Sequence, residues 1–208
     1  MIMPRKSEQF VRADWARASR AFANEADVSS VYRLKITLAD VKPPVWRRVD
    51  ILGPTTLPRL HRIIQAAMGW DDAHLHVFRI GGLQYGVPDP ELPFVNESRV
   101  RLDEIVGTAK QRFTYLYDFG DHWLHNVLVE SISAAEAGMQ YPRLIDGRGA
   151  CPPEDVGGPP GYESFIDIIR DPSHPENARM REWVGGRFNP AVLDVEGIQL
   201  ALRRIARR

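Results

Sequence analysis

Two runs of alternating side chains around one short turn constrain this chain more than any other feature. Phe113, Tyr115 and Tyr117 alternate with Thr114 and Leu116, and Trp123, His125, Val127 and Val129 resume the two-residue period after Asp118-Phe119-Gly120-Asp121. Period two places successive side chains on opposite faces of a strand, and Asp and Gly are residues that close tight turns. The segment is predicted as a β-hairpin with one aromatic face, which commits the chain to an antiparallel sheet that must be covered on that face.

Other segments extend the pattern. Tyr32, Leu34, Ile36 and Leu38 lie two apart, Pro43-Pro44 interrupts, and a second strand follows at Val45 to Ile51, in which alternation turns Arg47 away from Trp46 and Arg48. Leu57, Leu60, His61, Ile64, Ala67 and Met68 then form the apolar face of a helix with Pro58 in its first turn and Gly69 at its stop. Short strands are expected at Leu75 to Ile80 and around Leu83 to Tyr85, joined by Gly81-Gly82. Residues 86–99, with Pro88, Pro90 and Pro93, read as loop, and so do residues 141–162, which show no periodicity and contain five prolines. Helices are expected at Tyr162 to Arg170, at Glu176 to Val184 and on the stripe Val195, Ile198, Leu202, Ile205. Strands early and helices late make the fold class α+β: a mainly antiparallel sheet, a helix after the second strand and a helical C-terminal part. Residues 1–28 precede this as a separate arm, with Val11, Trp15, Ala18 and Phe22 at helical spacing, so the expected division is a helical arm over 1–28 and an α+β domain over 31–205.

Charge and cysteine content limit function. Lys plus Arg and Asp plus Glu both number 27, so no global positive field draws the chain to nucleic acid, and any such contact must be local. Its 23 arginines against four lysines, with Trp46-Arg47-Arg48 and the tail Arg203-Arg204-x-x-Arg207-Arg208, make nucleic acid a candidate partner through local arginines. One cysteine, Cys151, excludes an internal disulfide and agrees with a reducing compartment. Residues 1–28 carry no signal-peptide core, and no run approaches the roughly 18 apolar residues of a membrane span, so the expectation is a cytoplasmic chain without a membrane partner.

The residues that carry chemistry cluster in three motifs. His74 and His76 stand two apart, the spacing at which two imidazoles on a strand share a face, and with His122 they are candidate ligands for a divalent metal such as zinc, manganese or iron. Asp118, Asp121 and Glu154 are candidate acid–base residues, the last in Cys151-Pro152-Pro153-Glu154-Asp155. If that loop folds over the hairpin turn, these groups converge. His61, on an apolar helix face, reads as a core histidine, and Cys151 before two prolines as a small buried side chain. Trp46, Arg47, Arg48, Trp123 and Tyr162 are candidate binding residues. Asp118-Phe119-Gly120 stands without a kinase Gly-rich loop, and no Gly-Lys-Ser/Thr follows Gly157-Gly158, so neither a kinase nor a P-loop reading holds.

Taken together, Tyr32-Arg33-Leu34-Lys35-Ile36, Val45-Trp46-Arg47-Arg48, Met68-Gly69-Trp70, His74-Leu75-His76-x-Phe78, Tyr117-Asp118-Phe119-Gly120-Asp121-His122-Trp123-x-His125 and Cys151-Pro152-Pro153-Glu154-Asp155-x-Gly157-Gly158 with Gly161-Tyr162 resemble the plasmid pRiA ORF-three-like family over residues 31–205. The resemblance implies an α+β fold, bacterial or archaeal occurrence and association with mobile elements in some members, some of which carry the label of resolvase. The residues do not support that label: an activated serine among clustered arginines is not visible, Ser29 and Ser30 lying in a linker. With no complete catalytic constellation, the leading expectation is a non-enzymatic or accessory binding module. A metal-dependent, hydrolase-like enzyme and a DNA-associated accessory protein of mobile elements are the alternatives.

Overall fold

Alternation over residues 30–38 produces the strand around which the sheet is built. The computed structural model describes residues 29–207, so the expected helical arm over 1–28 lies outside the described residues. β1 (Ser30–Leu38) turns Tyr32, Leu34, Ile36 and Leu38 to a covered face and leaves Arg33, Lys35 and Thr37 half-exposed on the other. It pairs antiparallel with β2 (Trp46–Leu52) on one side and with β7 (Trp123–Ala134) on the other. The remaining strands are β3 (His76–Ile80), β4 (Leu83–Gly86), β5 (Val95–Asn96), β6 (Arg112–Tyr117) and β8 (Arg143–Arg148), giving the order β5-β4-β3-β6-β7-β1-β2-β8. Every pairing is antiparallel except β4 with β5. Together with five helices among the described residues this is the α+β class that the periodicities predict.

The covered face meets α1 (Leu57–Met68). Pro58 sits in its first turn, where a missing N–H costs nothing, and Gly69 closes it at φ 95°, a left-handed conformation in which glycine carries no Cβ penalty. Leu57, Leu60, Ile64 and Ala67 pack on Leu34, Ile36, Val49, Ile51, Phe78 and Tyr115 as one continuous core. After the sheet come α2 (Leu102–Ile105), α3 (Gly158–Arg170), α4 (Asn177–Trp183) and α5 (Val195–Ala206). α5 lies beside α1 and β8 and buries Ile198 and Leu202 of its predicted stripe, while Val195 stays exposed.

The opposite face is polar. Asp50, buried there, accepts hydrogen bonds from Arg33 and Arg143, and Arg48 binds Glu130 through two nitrogens. An antiparallel sheet tolerates such a face without a second layer.

Two stretches expected to be loop hold structure. Residues 141–162 contain β8 and the first turns of α3, and residues 86–99 contain β5. β8 escapes a periodicity reading because it is an edge strand paired only with β2, through a register shift at Arg48/Val49, so its inward and outward positions do not alternate cleanly. α3 escapes because it opens on Gly158-Pro159-Pro160-Gly161, residues that mark loops by composition although proline is accepted in a first helical turn. The four-residue α2 carries too little pattern to be read.

Leu34 is fully buried in the strand that joins both halves of the sheet. Leu34→Ala is expected to lower unfolding free energy by about 2–5 kcal/mol with an unchanged denaturant slope, as checked by urea titration.

Candidate functional site

The aromatic face of the hairpin predicted from sequence forms the floor of the site. Tyr115, Tyr117, Trp123 and His125 are all buried on the covered face, and Trp70, just beyond α1, lies over them, with its ring 5.1 Å from that of Tyr117 and 5.7 Å from that of Trp123. Trp70 Nε1 donates to the carbonyl of Pro152 at 3.0 Å, which pins the Pro/Gly loop above the same ring. Offset aromatic contacts of this kind add to area burial and hold a rigid surface.

The loop does fold over the hairpin turn. Gly157 N donates to Asp121 Oδ2 at 3.1 Å, and Tyr117 Oη donates to Glu154 Oε1 at 2.5 Å. Gly158, at φ 67°, passes so near that a Cβ would stand 2.3 Å from the Asp121 carbonyl oxygen, so only glycine permits the approach.

This contact brings together His74, Asp118 and Asp155, whose donor atoms all lie within 4.8 Å of one another. His74 Nε2 stands 3.1 Å from Asp155 Oδ1 and 3.6 Å from Asp118 Oδ2. Asp118 is aimed by its other oxygen, Oδ1, which accepts from Gly120 N and Asp121 N in the turn. Exposure rises across the set, from 11% for the Asp118 side chain and 31% for His74 to 72% for Asp155, so the cluster opens to solvent on the loop side. Of six non-glycine residues with positive φ among the described residues, Asp72, Asp118, His122 and Asp155 are here, a concentration of uncommon backbone around one spot.

The other predicted ligands do not join this set. His74 precedes β3, so strand alternation does not carry it to the side of His76, the first residue of that strand. His76 Nε2 meets both oxygens of buried Glu97, at 3.0 and 3.1 Å, and its ring stacks on His61 at 3.7 Å. His122 is exposed, and its backbone N–H donates to the Asp118 carbonyl. Asp121 is spent partly on Gly157 N, and Glu154 receives Tyr117 Oη on one oxygen and Asp71 N on the other. Burial, and then the Glu154 carboxylate, raise the Tyr117 hydroxyl far above its ordinary range, so it remains a donor.

His61 has both nitrogens satisfied. With Nε2–H donating to Asp72 Oδ1 at 2.5 Å, Tyr115 Oη donates to Nδ1 at 2.7 Å, and Gln65 donates in turn to the tyrosine oxygen. Burial, and then the neighbouring His76, lower the His61 pKa. Asp72, Glu97, Tyr117 and Trp70 carry this framework, and sequence reasoning named none of them as site residues. Tyr117 had a local signal in the alternation of the hairpin, and Trp70 in its place directly after the helix stop.

The binding candidates separate. Trp123 and Tyr162 are core residues. Trp46 lies on the polar face with Lys35 and Arg48 over its ring, and Arg48 is already paired with Glu130 and Asp146. Arg47 lies opposite to them, as alternation predicts, and is buried, so Trp46, Arg47 and Arg48 do not form one stripe. Burial pushes the Cys151 thiol well up, which keeps it protonated and unsuited to nucleophilic attack. No helix of the described residues is long and apolar enough to cross a membrane.

Comparison with known proteins agrees with this picture. The family described as plasmid pRiA4b ORF-3-like protein matches residues 30–197. The uncharacterised protein y4hQ of Sinorhizobium fredii is 44% identical over 161 residues, covering 76% of this chain and 82% of that protein. The crystal structure of MM3350, a protein of unknown function from Methanosarcina mazei, superposes with a TM-score of 0.73 at 33% identity, covering 81% of this chain and 97% of the other.

The floor of the site has a testable pH response. His125 is fully buried, its Nδ1 donates to the carbonyls of Trp123 and Tyr115, and its Nε2 has no partner among the described residues. A second proton would be an unpaired buried donor, and burial pushes the pKa down to about 4 from 6.5. The unfolded chain therefore binds more protons than the folded one between these values. Stability is expected to be full above about pH 6.5, to fall by roughly 3 kcal/mol towards pH 4, and to level off below, as far as this group contributes. Urea unfolding across that window should give a flatter slope for His125→Leu than for the native chain.

Proposed function

The chain belongs to the plasmid pRiA4b ORF-3-like family, and from that premise we propose that it is a divalent-metal-stabilised binding module. His74, Asp118 and Asp155 hold the ion, which fastens the loop at 151–157 across the hairpin turn and so shapes the mouth of the neighbouring cavity. The observation that supports this is the convergence of three donors from three separate segments within 4.8 Å. At metal–ligand distances of about 2.0–2.2 Å, neighbouring donors of a tetrahedral ion stand about 3.3 Å apart, close to the separations His74 makes here. One imidazole with two carboxylates suits manganese, iron(II) or zinc.

A binding role is favoured over catalysis by the state of the neighbouring groups. Both oxygens of Glu154 are occupied by donors, and the Cys151 thiol stays protonated. A second reading, metal-assisted hydrolysis, draws on the exposure of Asp155, since three protein ligands leave positions at which an ion can polarise water or a carbonyl.

Elemental analysis of tag-free protein purified without chelator and dialysed against Mn(II) tests the metal reading. About one equivalent is expected in the native chain and in His76→Ala, with loss in His74→Ala and in Asp155→Asn. An ion that survives His74→Ala, or a native chain that takes up none, overturns it. Ester or phosphoester turnover that Asp155→Asn abolishes would put the hydrolytic reading first.

A further inference from the structure

Beside the cluster lies a cavity of about 520 Å³, within the range of small-molecule sites. Its walls include Trp70, Pro152, Phe188, Ile198 and Ala201, and Arg47 also lines it. Arg47 is only 1% exposed, yet no carboxylate among the described residues pairs with it. Its Nε donates to the Ala67 carbonyl at 2.7 Å, and its Nη1 donates to the carbonyls of Trp46 and Arg148, both at 3.0 Å. Three N–H groups are thereby used, and the two on Nη2 have no protein acceptor among the described residues. Nη2 is not one of the sealed, orphaned atoms, which are Trp123 Nε1 and His125 Nε2 among the described residues, and Arg47 is one of the residues that line the cavity. A buried cation without a counter-ion is costly, because carbonyl dipoles replace hydration without neutralising charge.

We propose that this cavity binds a small organic carboxylate, one anionic group on an apolar body, with the carboxylate on Arg47 Nη2 and the body against Trp70, Phe188 and Ile198. Charge selects this class. One free guanidinium nitrogen offers a single charged contact rather than a two-nitrogen fork, and Asp71, Glu154 and Asp194 around the cavity raise the cost of any anion in proportion to its charge, which leaves a monoanion ahead of a multiply charged oxyanion such as phosphate. The apolar walls favour a ligand with a ring or a short chain over a small hydrophilic acid. Cys151, protonated and part of the wall, contributes shape only.

The proposal names a ligand for the binding module above and rests on that reading, although its key contact needs no metal. The test is calorimetric titration of the native chain with benzoate, with the isosteric neutral benzamide and with inorganic phosphate, each in Mn(II) and in chelator. Arg47 is left unaltered because it also holds the backbone. Ala201→Phe, checked for an unchanged melting profile, fills the cavity from the α5 side instead. Benzoate is expected to bind at least about tenfold more tightly than benzamide or phosphate, as a charged hydrogen bond predicts, and to be lost in Ala201→Phe. Equal binding of benzoate and benzamide, phosphate binding as tight as benzoate, or benzoate binding that survives Ala201→Phe in a folded protein overturns the proposal. The benzoate–benzamide comparison needs no variant. Mn(II) uptake without benzoate binding sinks the carboxylate site and leaves the metal reading standing, whereas benzoate binding in a chain that takes up no Mn(II) does the reverse.

Discussion

The contact on which the rest depends is the buried guanidinium of Arg47. It gathers three carbonyls from places far apart in the chain: Ala67 in the last turn of α1, its own neighbour Trp46 on β2, and Arg148 at the end of β8. The final carbonyls of a helix have no partner within it and carry the negative end of its dipole, so a cation there satisfies both hydrogen bonding and charge. The same side chain closes the β2–β8 edge and launches the chain into the loop that holds Cys151, Glu154 and Asp155. Gly147 makes room for it, since a Cβ there would stand 3.2 Å from Arg47 Cδ and 3.0 Å from the Trp46 carbonyl oxygen. A lysine could not replace this arrangement, because a point ammonium lacks the planar fork that reaches separate acceptors at once.

From that junction the site is assembled as a consequence of a one-sided sheet. The covered face carries aromatic rings and imidazoles where a larger aliphatic core would otherwise stand, and most of their polar atoms are answered, Trp123 Nε1 and His125 Nε2 excepted among the described residues. The Asp72–His61–Tyr115–Gln65 network does so beneath the loop at 71–74, and Glu97 does so for His76. Trp70 is held by the rings of Tyr117, Trp123 and His125 and by the Pro152 carbonyl, and His74 by the Tyr117 ring edge and the two aspartates. The polar face does different work. Its arginines are consumed by Asp50, Glu130 and Asp146, pairs that contribute modestly to stability and leave little free cation for a polyanion.

What sequence reading recovers and what it misses divides by the range of the interaction. The hairpin of β6 and β7, the α1 stripe and its Gly69 stop, and the turn of Arg47 away from Trp46 and Arg48 are all readable, because period two, period 3.6 and a left-handed glycine are properties of neighbouring residues. His76 does not accompany His74: the two-residue spacing pairs them only if both lie on the strand, and the strand, expected from Leu75 and found from His76, leaves His74 outside its alternation. The sequence groups Arg47 with Trp46 and Arg48 as a candidate binding residue although it points away from them, because alternation says which residues share a face and not which face is covered.

The sequence by itself therefore determined the class of fold, the order of its elements other than β5, α2 and β8, and the segments from which the polar cluster is drawn. Tertiary structure alone decided that Asp155 meets Asp118 and His74, that Glu154 is tied to Tyr117, and that a cavity lies over a guanidinium without a carboxylate. The physical reason is separation along the chain. Asp155 stands 81 residues from His74, and Arg148 stands 101 from Arg47, so these contacts are set by how loop and edge strand pack on a finished sheet, through hydrogen bonds to backbone that no local pattern encodes.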